Sequence, residues 1–530
     1  MSTLITNALV FDGTGADGFH ADLLIERGVI AAIFRSGAIE HVAVENVIDA
    51  AGMVVCPGFI DVHSHADHAA LLSQDELAKI RQGITTEIVG NCGQSLAPIA
   101  HGAEDEFWNE FRPLFDCAYL GWHKPSELFE ILDRHPGITN SCPLVGHGAL
   151  RMAVLGTSSS SSTPDDMAAM GRLLRDALDA GAFGLSTGLL YPPGMYATTE
   201  ELVALARQLP AGRIYATHIR DEGDNLLASI QEALTVGKHA GCRVQISHLK
   251  AAGSHNWGAV KHALEAIDTS RHDGLHVTQD VYPYDAASTA LSACLPPWAH
   301  DGGSATTLAI LRDSAALARL RRDVHGQAGG DWENIVAGAG GYDRLLVCST
   351  ASGRFVGRTI LELGDELGLE PFDTLVHVLR EERLHADMVV FDMSEDDVET
   401  VLRSPFTMIG SDGGVAAAGD GQHPRLFGTF PRVLGRYVRE RQVLELSEAI
   451  RRMTSLAAAT FGVPNRGEVA VGKVADLVCF DPEKVGHPGD FRQPSVHPEG
   501  IAWVMQSGTV TVTEGRWQGI RKGRRLVPSP

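Results

Sequence analysis

The stretch Cys56-Pro57-Gly58-Phe59-Ile60-Asp61-Val62-His63-Ser64-His65-Ala66-Asp67 decides how the chain is read. Its apolar run predicts a buried strand. Side chains two apart in a strand point to one side, so His63 and His65 reach toward a common point. Converging imidazoles suit a metal ion, and they also suit a hydrated strand end. The choice rests on whether other ligands arrive at the same place.

Before this stretch, residues 1–57 read as short β segments at 4–6, 23–25, 29–33 and 47–49, punctuated by Gly13, Gly15 and Gly28. The same texture returns after residue 464, at 467–469, 475–480, 501–505 and 510–512. Each end is too short to bury a core alone, so 1–57 and 464–530 are expected to pair into one small β-sandwich domain.

Between them, residues 58–463 alternate apolar strands with helical stretches, the pattern of parallel βα units in an α/β fold. Eight strands are expected, at 58–63, 86–90, 140–145, 183–186, 214–218, 244–248, 277–281 and 406–411. Helices are expected at 75–82, 164–180 and 222–240, the second opened by Thr163-Pro164-Asp165-Asp166. Eight such units predict a TIM-type (β/α)8 barrel, whose chemistry lies at the C-terminal ends of its strands. Residues 285–405 form an insertion between the last two strands, a candidate lid at the barrel mouth. The serine-rich run 157–162 reads as a loop.

Composition narrows the function classes. Asp plus Glu number 66 against 44 Lys plus Arg, a net charge of -22 that disfavours nucleic acid and anionic lipid. No apolar run approaches the ~18 residues of a membrane span, and residues 1–10 lack the basic start of a secretory signal, so no membrane partner and a cytoplasmic location are expected. Eight cysteines without CxxC pairs argue against a disulfide framework and against a Cys-rich structural zinc site.

Ligand-capable residues cluster at the strand ends. His63 and His65 end the first strand, Cys92 follows the second, His218 ends the fifth, His248 the sixth, and Asp412 follows the eighth. Imidazole and thiolate around an open position favour Zn²⁺ over Mg²⁺ or Ca²⁺. Zinc lowers the pKa of a bound water from ~15.7 to about 7. Asp412 would accept its proton and return it to a leaving nitrogen.

This set resembles the amidohydrolase superfamily. Many of its two-metal members carry a carboxylated lysine at the end of strand four; that stretch reads Leu185-Ser186-Thr187-Gly188 here, which points away from hydantoinases and dihydroorotases. The closer resemblance is to the D-aminoacylase family of N-acyl-D-amino-acid deacylases. It is carried by Gly90-Asn91-Cys92-Gly93, Ser186-Thr187-Gly188-Leu189-Leu190-Tyr191-Pro192-Pro193-Gly194, Ala216-Thr217-His218-Ile219-Arg220-Asp221-Glu222, Ser247-His248-Leu249-Lys250 and His423-Pro424-Arg425-Leu426-Phe427-Gly428-Thr429-Phe430-Pro431-Arg432.

The resemblance implies one tight zinc at Cys92, His218 and His248, and a second, weakly occupied position bordered by His63, His65 and Asp412 and sharing Cys92. It implies that Lys250, Tyr282, Ser288 and Arg425 hold a substrate carboxylate, with Tyr191 polarising the scissile carbonyl and His147 structural. Relatives that prefer acidic D-residues place an arginine shortly after the Ser288 position; Ala293-Cys294-Leu295-Pro296 offers none, so an apolar D-side chain is expected. The expected activity is hydrolysis of a small N-acyl-D-amino acid. The rivals are a dipeptidase acting on L-Xaa-D-Xaa dipeptides and a non-catalytic scaffold of the same fold.

Overall fold

In the computed structural model, residues 2–35, 43–111, 117–326, 331–416 and 423–529 are described. The two ends of the chain meet in one sheet, as their shared texture implies. Ser2–Val10 pairs antiparallel with Phe19–Glu26 and parallel with Val54–Pro57. Val54–Pro57 pairs in turn with Leu477–Phe480 from the far end. The sheet has nine strands. Ile5, Leu23 and Ile25 share a core with Leu477, Cys479 and Trp503, so neither end is buried without the other.

Parallel strands occur at all eight expected places. Phe59–Asp61, Ile84–Val89 and Asn140–Pro143 form one sheet. Val145–Gly146, Gly184–Gly188, Ile214–His218, Arg243–Ile246, Val277–Val281 and Thr407–Ile409 form a second, in that order. Backbone bonds join the two sheets at both seams. At one, Leu144 N–H donates to Val89 O and Phe183 N–H to Pro143 O, both at 2.8 Å. At the other, Asp412 N–H donates to His63 O (2.8 Å) and His65 N–H to Gly413 O (3.0 Å). Ile60, Ile88, Cys142, Phe183, Ile214 and Met408 pack together with Leu526 of the C-terminal tail.

Helix Pro164–Asp179 begins as its sequence predicts, Thr163 and Asp166 each accepting the other's backbone N–H. Two expected helices differ. Over 75–82 only the 3₁₀ turn Ile80–Gln82 forms. The Glu76 carboxylate takes the N–H groups of Ala78 and Ala416, and Lys79 turns inward to Asp61, so the segment is tied to remote parts of the chain instead of to itself. The helix expected from 222 begins at Leu226, because Asp221 Oδ1 accepts from the N–H of Gly223 (2.8 Å) and Asn225 (3.3 Å) in a turn.

After the seventh strand the chain builds a four-stranded antiparallel sheet, ordered Ala287–Ala290, Ala386–Val390, Leu345–Thr350 and Arg358–Thr359. Leu291, Phe355, Leu375 and Met388 give it a core of its own. Helix Glu395–Arg403 then returns to the main core through Val398, Val401 and Leu402.

Lys79 binds the first and eighth strands together. Its Nζ donates to Asp61 Oδ2 and Ser411 Oγ at 2.6 Å and to Gly413 O at 3.1 Å, with 1% of the residue exposed. Removing one partner of a buried pair strands the other charge, at a cost of about 3–5 kcal/mol. Lys79→Met is therefore expected to lower the thermal unfolding midpoint by several degrees, whereas Lys484→Met, on an exposed pair, leaves it unchanged in the same calorimetric scan.

Candidate metal centre

The expected ligands sit just beyond the strands, where the backbone turns sharply. Cys92 (φ 52°), His248 (φ 35°) and Asp412 (φ 49°) adopt the left-handed region, a conformation that costs of order 1–3 kcal/mol and clusters at functional sites. Strand four explains how Cys92 is admitted. A Cβ at Gly188 would lie 2.0 Å from Cys92 O, so only glycine lets that loop approach. The Ser186 hydroxyl braces the same loop, accepting from Gly93 N–H at 3.1 Å and donating to Gly90 O.

Two donor groups result, sharing one thiol. His63, His65, Cys92 and Asp412 form the first, and Cys92, His218 and His248 the second, with the ligand atoms of each within 4.8 Å of one another. His63 Nε2 lies 3.2 Å from Cys92 Sγ and 3.3 Å from Asp412 Oδ1. His65 Nε2 lies 3.1 Å from Asp412 Oδ1, and His248 Nε2 lies 3.6 Å from the sulfur.

The donors fit a metal. His218 is 4% exposed, yet neither of its ring nitrogens has a hydrogen-bond partner, an arrangement a bound cation satisfies. Burial pushes the Cys92 thiol up, but the charge on His63 and the neighbouring His218 and His248 imidazoles outweigh it and hold the thiol well below its usual range, in the thiolate form that ligates metals. Burial likewise opposes ionisation of Asp412. Arg425, 2.8 Å from its Oδ2, and His63 overcome that and keep the carboxylate charged.

Two acids behind the ligands had not been singled out from the sequence. Glu222 Oε1 lies 2.9 Å from His248 Nδ1 and accepts from Lys250 Nζ at 2.6 Å. Asp280 Oδ1 lies 3.4 Å from His63 Nδ1 and accepts from His248 N–H at 2.9 Å. Carboxylates on the far nitrogens of ligating histidines fix ring orientation and tautomer. Asp280 had a legible signal, a charge inside an otherwise buried strand. Glu222 lies in a quoted motif, but only the fold shows that it meets the sixth strand.

A cavity of about 660 Å³ opens onto the centre, lined by His65, Cys92, Asp412, Tyr191, Ser288 and Arg425. Arg425 Nη2 donates to Ser288 O (3.1 Å), and the Tyr191 hydroxyl meets Thr289 Oγ1 (3.0 Å), tying the segments after the parallel strands to the inserted sheet. Lys250 and Tyr282 stand behind this wall. Tyr282 is 1% exposed, its hydroxyl donates to Met393 Sδ, and its ring centroid lies 5.6 Å from Lys250 Nζ and 4.9 Å from Arg425 Cζ. His147 faces elsewhere, in a buried cluster with Glu201 (2.8 Å) that Arg151 completes.

Comparisons with known proteins agree with this geometry. Residues 46–516 match the model of the amidohydrolase family. A D-aminoacylase of Alcaligenes xylosoxydans xylosoxydans is 35% identical, over 99% of this chain and 97% of that protein. The chain belongs to the amidohydrolase family. A crystal structure of N-acyl-D-glutamate deacylase from Bordetella bronchiseptica, complexed with zinc and a phosphonate inhibitor, superposes with a TM-score of 0.83 at 33% identity, covering 99% of both chains. A D-aminoacylase structure described by its binuclear metal centre, with one-metal activation and second-metal attenuation, gives 0.83 at 34% identity, again covering 99% of both. As an amidohydrolase, the protein is a metal-dependent hydrolase acting on amide bonds. Among the described residues, no helix is long and apolar enough to cross a membrane.

Gly188→Ala is expected to displace the Cys92 loop and reduce the metal retained after desalting, with the fold preserved by circular dichroism. The His147 cluster gives a pH prediction. Burial raises the Glu201 carboxyl, but His147 and Arg151 lower it from 4.5 to about 2, so its stabilisation is complete above 4.5 and is lost as pH falls toward 2. Glu201→Gln should flatten the stability profile across that window in acid titrations followed by fluorescence.

Proposed function

We propose that the protein hydrolyses the amide bond of N-acyl-D-amino acids with an apolar D-side chain, releasing a carboxylate and a free D-amino acid. We read its eight parallel strands as one closed barrel over 58–463, its terminal segments 1–57 and 464–530 as a β-sandwich, and 285–405 as a lid-like insertion. The observation that carries the reading is a thiolate shared by two donor groups beside the Arg425–Asp412 pair, at the head of one cavity.

In this reading zinc is held tightly by Cys92, His218 and His248, and a second position by His63, His65 and Asp412 fills weakly. When bound, zinc supplies Lewis acidity at the acyl carbonyl and acidifies the attacking water. Asp412 accepts that water's proton and hands it to the leaving nitrogen. Tyr191 donates to the carbonyl oxygen. Arg425 exchanges its Asp412 contact for the substrate's α-carboxylate, with Ser288 at the same wall, a charge-assisted pairing that selects substrates with a free carboxylate. Lys250 and Tyr282 act from behind, Lys250 through Glu222 and Tyr282 by stacking under Arg425. Ala293 and Leu295 line the cavity with apolar surface, which favours D-leucine-like over acidic side chains.

A panel of N-acetyl D- and L-amino acids with added zinc tests the activity. Turnover of N-acetyl-D-leucine well above N-acetyl-D-glutamate and N-acetyl-L-leucine is expected. Robust release from an L-aminoacyl-D-leucine dipeptide, with almost none from the acetyl compound, would reverse the assignment in favour of a dipeptidase. Asp412→Asn should lower kcat by about 10²–10⁴, and unchanged hydrolysis would sink the mechanism and favour another proton carrier. Arg425→Ala should raise KM roughly tenfold to a hundredfold, the value of a hydrogen bond to a charged group. A His63→Ala, His65→Ala double variant should lose activity while keeping most of its zinc, measured by metal analysis.

A further inference from the structure

A second group of metal-ligand side chains lies apart from the centre and shares no residue with it. His101, Glu104 and His123 each bring one ligand atom within 4.8 Å of the others. We propose that these three residues form a separate surface site for a zinc-class divalent cation, bound through two imidazoles and one carboxylate with a fourth position left to water.

The local backbone prepares the site. Ile99 N–H donates to His123 O at 2.8 Å, which fixes the segment carrying His101 beside the segment carrying His123. His123 Nδ1 faces Ile99 O at 3.2 Å, and a carbonyl can only accept, so the proton sits on Nδ1. Nε2, 3.6 Å from Glu104 Oε1, is then the ring atom that faces the carboxylate. With the far nitrogen anchored on a carbonyl, Nε2 is the atom left to ligate a cation beside Glu104. The backbone-anchored far nitrogen is the arrangement that orients histidine ligands in metal sites.

The His101 and His123 rings lie with centroids 3.7 Å apart at 38°. Two imidazolium ions would repel there, whereas two neutral imidazoles sharing one cation do not. Two histidines and one glutamate with an open position is a known zinc donor set, and the nitrogen ligands exclude Mg²⁺ and Ca²⁺ as preferred occupants. His101 is exposed and His123 and Glu104 are partly so, which leaves the site open to ions from solvent.

The cation would brace one wall of the substrate cavity. Glu104 begins helix Glu104–Phe111, which contributes Asn109, Glu110 and Phe111 to the cavity lining. Glu110 Oε1 accepts from Ser304 N–H of the insertion at 2.7 Å. An ion on His101, Glu104 and His123 would clip the chain on both sides of that helix.

The test compares zinc binding by the full-length enzyme and its His101→Ala variant, at buffered free Zn²⁺, by calorimetry and metal analysis. The wild type is expected to take up one equivalent more than His101→Ala, or to bind that equivalent at least tenfold more tightly, with amide hydrolysis unchanged in the variant. The same difference should persist between Cys92→Ala and the Cys92→Ala, His101→Ala double variant, which separates this site from the thiolate centre. Equal stoichiometry and equal affinity in wild type and His101→Ala would overturn the proposal, whatever the outcome at the catalytic site.

Discussion

The buried ion pair between Lys79 and Asp61 is the constraint on which the metal centre depends. It sits at the seam between the first and eighth strands, and Asp61 also accepts the N–H of Ser411, so one lysine fixes the strand ends that present His63, His65 and Asp412. A salt bridge this deep is weak evidence of net stabilisation, since desolvation offsets much of the attraction. Its value lies in register. Neutral replacements would leave the seam free to slide, and a shift of one residue would turn both histidines to the other face.

The centre shows the same economy of charge. A thiolate and a carboxylate placed this close would repel, and each is held by a cationic or hydrogen-bonding partner from another element: Cys92 by the surrounding histidines, Asp412 by Arg425. Glu222 and Asp280 stand one layer further out and orient the imidazoles. The arrangement keeps the thiol and the carboxylate ionised, while His63 and His65 are raised toward the protonated form, so metal loading releases protons from the imidazoles.

What was legible from the sequence follows physical range. Strands and candidate ligands were readable because both are local signals: an apolar run of a few residues ending in His, Cys or Asp, repeated along the chain. The pairing of the two ends followed from the size each lacked for a core. Helix 75–82 failed because Glu76 and Lys79 bind Ala416 and Asp61, partners remote in sequence. Glu222 was hidden for the same reason, since its partner His248 belongs to another strand. The resemblance put Lys250 and Tyr282 at the substrate carboxylate, but neither lines the cavity, a distinction between a wall and the layer behind it that no local pattern carries.

The inserted sheet with its separate core carries a consequence for divergence. Its edge strand Ala287–Ala290 supplies Ser288 and Thr289 to the cavity, while the candidate ligands follow the parallel strands. Leu291, Phe355 and Met388 pack in a cluster separate from the one beneath the candidate metal donors, so a substitution on this cavity wall is expected to disturb the inserted core first. Substrate preference can thus drift while the reaction is conserved.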